Sequence, residues 1–307
     1  MRILTGWTGL APEDRGASVA IGNFDGVHLG HRVVIDRARA AGGPLGVLTF
    51  EPHPREVFRP GPPFRLMNAE ARAHRLEKLG VERLYELPFD SRLSGLSAED
   101  FAREVLAEGI GAAHVVVGRD FRYGKGRTGT AETLVDHGAR FGFGVTVAEL
   151  LQGEGGRVSS TAIRTALSEG HPREAARMLG HWHRIEGPVL HGDKRGRDLG
   201  YPTANMALTG LHPPRFGVYA VLVDVLSGPH KGAWHGAASL GIRPMFETAQ
   251  PMLETFLFDF RGDLYDTHLS VGLVEFLRPE ARFDGLDALV AQMAKDCAEA
   301  RDILAAL

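Results

Sequence analysis

His28 and His31 sit three residues apart in the run Gly22-Asn23-Phe24-Asp25-Gly26-Val27-His28-Leu29-Gly30-His31. Apolar Val19-Ala20-Ile21 precedes that run and Val33-Val34-Ile35 follows it. The pattern predicts a strand, a glycine-rich turn and a helix beginning near Gly30. Glycine lets the backbone approach a ligand closely. A helix start offers N–H groups and the positive end of the helix dipole to phosphate oxygens. Histidine donors strengthen as charge builds on a phosphate, and phosphoryl or nucleotidyl transfer needs alignment and charge stabilisation more than a covalent nucleophile. Gly22, Phe24, Asp25, Gly26, His28 and His31 are therefore candidate ATP-binding residues, with the two histidines as the catalytic pair.

Three further stretches could reach the same pocket. The first is Phe50-Glu51-Pro52-His53-Pro54, and the second is the run 117–124, with Asp120 and Phe121. The third is the run 158–164, with Ser160, Thr161 and Arg164. Each follows a strand-like run or opens a helix. Together they supply histidine, hydroxyl, guanidinium and backbone donors, all suited to phosphate. Taken singly they are less telling: His53 lies between two prolines and suits a structural role, and Ser159-Ser160-Thr161 reads as a helix cap.

A second set lies downstream. The loop 191–200 is basic and glycine-rich, with Gly192, Lys194, Gly196 and Arg197. Alone it reads as a hairpin turn. Thr203 and Asn205 follow it, two residues apart, so on an extended strand they point the same way. Hard oxygen ligands beside a basic loop suit Mg²⁺ with ATP. Glu254 interrupts the apolar run 252–258. A carboxylate there needs a partner or a chemical task, and a general base is such a task. The alternative is a solvent-facing strand residue.

The elements that must position these groups fall into two textures. Apolar runs at 18–21, 45–50, 84–87, 114–117 and 145–150 alternate with helical patterns, among them 69–79 after Asn68 and 101–108 after the capping-box-like Ser97. Alternation of this kind predicts a parallel sheet with helices on both faces, whose ligands sit at the carboxyl ends of the strands. Residues 159–180 read as two short helices stopped by Gly170 and Gly180. Strand-like runs then follow closely at 184–190, 218–225, 233–240, 253–260 and 269–276, which predicts an antiparallel barrel or sandwich. A last helix carries Leu286, Leu289, Val290, Met293, Cys297, Ala300, Ile303 and Leu304 on one face. The expected domains are 1–182 and 183–307.

With 307 residues there is room for about two domains. Hydrophobic residues at 44% and charged residues at 24% describe an ordinary globular balance. The net charge of −3 supplies no global basic field for nucleic acid, and the local clusters at 119–127 and 194–197 favour small anionic ligands. One cysteine excludes an internal disulfide. No run approaches the ~20 apolar residues of a membrane span, and the first residues do not read as a signal peptide. The expectation is a cytoplasmic enzyme of small-molecule substrates, without nucleic-acid or membrane partners and compatible with a homo-oligomer.

The run 22–31 resembles the His-x-Gly-His signature of the nucleotidylyltransferase superfamily. With Phe24-Asp25-Gly26 it resembles the FMN adenylyltransferase module of prokaryotic bifunctional riboflavin kinase/FAD synthetases. The runs 50–54, 117–124 and 159–164 match that family in order and spacing. Gly196 through Asn205 is similar to the Gly-Arg-x-Leu-Gly-x-Pro-Thr-Ala-Asn motif of riboflavin kinases.

The resemblance implies an α/β Rossmann-like nucleotidyltransferase domain, then an all-β six-stranded barrel with a C-terminal helix. It implies that His28 and His31 contact ATP phosphates and that Ser160, Thr161 and Arg164 hold the triphosphate. Pro52, His53, Pro54, Asp120 and Phe121 would lie on the flavin or adenine side. Gly192, Lys194, Gly196 and Arg197 would bind the ATP of the kinase, Thr203 and Asn205 its Mg²⁺, and Glu254 would act as base on the ribityl 5′-hydroxyl. The implied activities are phosphorylation of riboflavin to FMN and adenylylation of FMN to FAD. Rival readings are a non-catalytic flavin- or nucleotide-binding regulator and a nucleotidyltransferase acting on another phosphorylated acceptor. Two positions depart from the family pattern: Met245 stands where threonine is usual, and Asp266 where glycine is usual.

Overall fold

Strand β2 (Ser18–Ile21) is buried along its whole length, and β3 (Leu45–Glu51) is buried over its first five residues. Consecutive residues such as Ala20 and Ile21, or Val47 and Leu48, are all shielded from water, so both faces of the sheet are covered, as a parallel sheet requires. The computed structural model describes residues 1–59, 61–149, 151–153, 156–191, 200–243 and 250–307. These form two compact units, Met1–Gly61 with Arg72–Val158, and Pro62–Ala71 with Ser159–Leu307.

In the first unit β1 (Arg2–Thr5), β2, β3, β4 (Arg83–Pro88), β5 (His114–Gly118) and β6 (Gly144–Ala148) pair in parallel in the order β1-β4-β3-β2-β5-β6. The helices include α1 (Leu29–Ala40), α2 (Pro54–Phe58), α3 (Ala69–Lys78) from Arg72 onward, and α4 (Ala131–Phe141). From β2 the chain steps outward to β3 and β4, then returns to the other side of β2 as β5. The carboxyl end of β2 is therefore the topological switch point, where sheets of this type open a crevice for ligands. Ser97 caps its turn as expected, accepting from the Asp100 N–H at 3.0 Å. The following Phe101–Gly109 winds as a π-helix, with the Ile110 N–H donating to the Val105 carbonyl at 2.9 Å.

The second unit opens with α5 (Ser160–Glu169) and α6 (Pro172–Leu179), ended by the left-handed Gly170 and Gly180. Ile163, Ala166, Leu167, Ala175 and Leu179 pack with Leu66 in one buried cluster. The boundary expected between 182 and 183 thus lies inside this unit, because α5 and α6 cluster with the segment 62–71 and the strands that follow.

Strands β7 (His183–Pro188), β8 (Ala204–Ala207), β9 (Gly217–Val225), β10 (Gly232–Arg243), β11 (Gln250–Leu257) and β12 (His268–Arg278) pair antiparallel in the order β7-β12-β9-β10-β11-β8. The two edges meet where the Leu190 N–H, just after β7, donates to the Asn205 carbonyl of β8 at 2.8 Å. That bridge closes the six-stranded sheet on itself, around Ile185, Met206, Tyr219, Val221, Leu253 and Val271. Helix α7 (Leu286–Ala305) sets Ala300 and Leu304 against Ala220, Ala237, Phe258 and Val274. The apolar stripe read from the sequence is only partly used: Leu286 is 64% exposed, while Cys297 packs half-buried at the edge of the cluster.

Candidate functional site

The loop from β2 to α1 is tied to its neighbour strand at its start. The Gly22 N–H donates to the Leu48 carbonyl at 3.2 Å, and the Thr49 hydroxyl donates to the Asn23 carbonyl at 3.1 Å. Phe24 and Val27 then adopt φ of +50° and +42°, a region that non-glycine and especially β-branched residues rarely enter. Both side chains are fully buried, so leaving this conformation would expose them.

The helix starts at Leu29, and His28 is its cap. His28 Nδ1 accepts from the His31 N–H at 3.2 Å, while His31 Nδ1 accepts from the His28 N–H at 3.3 Å. The histidines expected to face a ligand beside an open helix start thus also close that start themselves. With each Nδ1 acting as acceptor, the proton of each neutral ring belongs on Nε2. The rings stack with centroids 3.6 Å apart and 13° between planes. Burial, and then the neighbouring His28, push His31 well below the usual histidine range. A Cβ on Gly30 would lie 3.1 Å from the His28 ring, which explains the glycine between the two histidines.

Two of the other loops emerge beside this one, because β3 and β5 flank β2. At the end of β3, His53 caps α2: its Nδ1 accepts from the Arg55 N–H at 3.1 Å, and its own N–H donates to Glu56 Oε2 at 3.0 Å. Pro52 and Pro54 fix the chain on either side. Buried Arg72 donates to Glu51 at 2.9 Å and to Glu86 at 2.7 Å beneath this turn. After β5, Asp120 is exposed and Phe121 stacks on Tyr123, with centroids 5.6 Å apart. The structure therefore gathers the runs 22–31, 50–54 and 117–124 at the carboxyl ends of three adjacent strands. Ser160, Thr161 and Arg164 open α5 in the second unit, where Arg164 Nε donates to the Phe64 carbonyl. Thr49 escapes sequence reading because a β-branched residue in an apolar run looks like strand filling.

In the second unit Asn205 of β8 lies directly opposite Glu254 of β11. Residues so paired put their side chains on one face, with Cβ atoms about 5 Å apart. Ala204, Met206 and Leu253 point the other way, into the barrel. Asn205 is buried, and its Oδ1 has no hydrogen-bond partner among the described residues. A buried amide oxygen left without a donor fits a hard cation. Thr203 precedes β8 and is half-buried. Gly192, Lys194, Gly196, Arg197 and Met245 lie outside the described residues. Asp266 has φ +60°, so its place is one where glycine is most at ease, and aspartate tolerates it better than most residues.

A phosphate-type loop at the switch point of a parallel sheet, with a closed antiparallel barrel downstream, defines a two-part nucleotide-dependent transferase. The chain belongs to the bifunctional riboflavin kinase/FMN adenylyltransferase family. The FAD synthetase family matches residues 10–162 and the riboflavin kinase family residues 179–304. The bifunctional riboflavin kinase/FMN adenylyltransferase of Pseudomonas fluorescens is 42% identical over 99% of this chain and 98% of its own length. That of Escherichia coli K12 is 38% identical over 95% of this chain and 94% of its own length. A crystal structure described as a macrolide-efflux protein from Streptococcus pneumoniae has the same fold throughout, with TM-score 0.82, 31% identity, and coverage of 96% of this chain and 97% of that one. Among the described residues no helix is long and apolar enough to cross a membrane.

Proposed function

We propose that the chain phosphorylates riboflavin to FMN at the barrel and adenylylates FMN to FAD at the parallel sheet. What carries the kinase half is the pairing of Asn205 with Glu254, which sets an oxygen ligand beside a carboxylate. In this reading Glu254 takes the proton of the ribityl 5′-hydroxyl. The freed oxygen bonds to the γ-phosphorus, the bond from phosphorus to the bridging oxygen breaks, and ADP leaves. Thr203 and Asn205 would hold Mg²⁺, which supplies neutralisation of phosphate charge. The basic loop with Gly192, Lys194, Gly196 and Arg197 would carry the nucleotide.

The adenylyl half is supported by the interlocked His28–His31 cap. An FMN phosphate oxygen bonds to the α-phosphorus of ATP as the α–β bridging bond breaks and pyrophosphate leaves. No proton need be removed. The Nε2–H groups of His28 and His31 donate to the phosphates as charge builds. Gly22, Phe24, Asp25 and Gly26 shape the loop. Pro52, His53, Pro54, Asp120 and Phe121 would border flavin or adenine. The roles of Ser160, Thr161 and Arg164 toward the triphosphate rest on their motif. Both reactions draw on ATP, a small soluble anion, which suits a cytoplasmic enzyme.

Chromatography of products from riboflavin, ATP and Mg²⁺ tests the proposal. FMN should accumulate first and FAD follow. Flavin and nucleotide binding without turnover would favour the regulator instead. FMN without FAD would leave the first unit with another acceptor.

A further inference from the structure

The loop between β2 and α1 holds two costly backbone conformations, at Phe24 and Val27, immediately before the histidine cap. The Val27 N–H bond to the Phe24 carbonyl, at 3.1 Å, is internal to the loop and cannot hold it against the sheet. The bond from Gly22 to Leu48 lies upstream of the strained residues. A bond that ties the turn to a rigid element just before Phe24 comes from Thr49. Its side chain is wholly buried, and its hydroxyl donates to the Asn23 carbonyl at 3.1 Å. Asn23 itself is exposed. Without that donor its carbonyl could turn to water, shifting the start of the loop even while Phe24 and Val27 stay buried. Thr49 also sits near the end of β3, three residues before Pro52. One strand end thus carries one expected ligand-side turn and braces the other.

We propose that Thr49 is a positioning residue for adenylyl transfer: its buried hydroxyl, by holding the Asn23 carbonyl, keeps the strained loop where His28 and His31 interlock and present Nε2–H. The proposal rests on the adenylyl site described above. Thr49 touches no reacting atom in this scheme. It acts through the loop.

The test uses Thr49→Val, which keeps the shape and loses the hydroxyl, and Thr49→Ser, which keeps the hydroxyl, both in the full-length chain. For Thr49→Val the kcat of FAD formation from FMN and ATP should fall about 10–100-fold, the scale of a small misplacement of aligned groups. KM for FMN and the rate of riboflavin phosphorylation should stay within about twofold, because the flavin-side residues and the barrel are untouched. Thr49→Ser should recover most of the kcat. In parallel, imidazole nitrogen shifts measured by NMR should report Nε2–H tautomers for His28 and His31 in the wild type and in Thr49→Ser, and a tautomer mixture in Thr49→Val. Wild-type kcat in Thr49→Val would overturn the proposal, as would equal loss of both activities, which would mark a folding defect. If the wild-type chain makes no FAD, the adenylyl reading fails, and the NMR arm still decides Thr49: unchanged tautomers in Thr49→Val would sink the bracing role.

Discussion

Asn205 and Glu254 face each other across β8 and β11, on the face of the barrel wall turned away from Met206 and Leu253. A register shift of one residue would send one of the pair into the apolar interior and the other to the opposite side. The β8–β11 ladder sets this register, and the Leu190–Asn205 bridge that closes the barrel holds the backbone of Asn205 itself, so closing the fold also anchors one member of the pair.

Glu254→Gln keeps the shape of the side chain, exchanges one acceptor oxygen for an amide donor and removes its basicity. FMN formation should slow by about 10²–10⁴-fold, the usual contribution of general-base catalysis. FAD formation from added FMN should continue at the wild-type rate. An unchanged FMN rate would remove Glu254 from the mechanism.

Asn205 carries a buried oxygen with no hydrogen-bond partner among the described residues, which a protein selected for stability alone would lack. Replacing such a group by an apolar one of similar size is neutral or stabilising. Asn205→Leu should therefore raise or preserve the melting temperature of the chain without ATP while abolishing riboflavin phosphorylation. Calorimetry and the product assay on the same sample check this. A fall of several degrees in melting temperature would mean that the amide serves the fold.

Much of this architecture was legible because hydrophobic period reports burial. Residues 19–21 are apolar throughout and lie in a strand covered on both faces, and Gly170 and Gly180 stop their helices in the left-handed conformation. β1 was not legible: three of its four residues are exposed, so it carries no burial pattern. Nor was the register that joins Asn205 to Glu254, since alternation fixes a face and only the β8–β11 ladder fixes the partner. The sequence placed His28 and His31 at a helix start. It could not show that their Nδ1 atoms are used in capping, because that depends on side-chain rotamers. The glycine preference at position 266 became intelligible only from its φ.

Acid should weaken the fold through its buried histidines. Burial first, and then His181 and His212, hold His183 at about 3, and His31 is also lowered by burial and by His28. Both folded values lie below the free value of 6.5, so the unfolded chain binds more protons once the pH falls below it. Their contribution is complete above about 6.5 and is lost as the pH falls toward the folded values. Each of the two rings adds at most about 1.4 kcal/mol per pH unit to the slope. Urea midpoints measured from pH 7 to pH 4 should decline, and His183→Leu should flatten the decline. An equally steep decline in that variant would assign the acid sensitivity to other groups.

Helix α7 is fastened by more than its apolar stripe. Asp296, 5% exposed, accepts from Arg278 Nε at 3.0 Å and Nη2 at 2.7 Å, and from Gln292 at 2.8 Å. Removing one partner of a largely buried pair strands the other, at a cost of about 3 kcal/mol. Asp296→Ala should lower the urea midpoint accordingly and leave KM values for both reactions unchanged. Selective loss of one activity at unchanged stability would show that α7 belongs to a site rather than to the scaffold.

His28 combines two tasks that substitution can separate. As the cap of α1 it satisfies the His31 N–H, and by its Nε2–H it would serve the phosphates. His28→Ala loses both. FAD formation should stop, FMN formation should persist, and stability should fall by about 1 kcal/mol for the lost cap. Asparagine is among the strongest N-cap residues, and its side-chain oxygen can replace Nδ1 as the acceptor. His28→Asn should therefore recover the melting temperature without recovering FAD synthesis, because no donor reaches where the ring did. Rates and melting curves for the three proteins decide the matter. If His28→Asn restores FAD synthesis, the imidazole is dispensable and what adenylyl transfer requires of residue 28 is the cap itself.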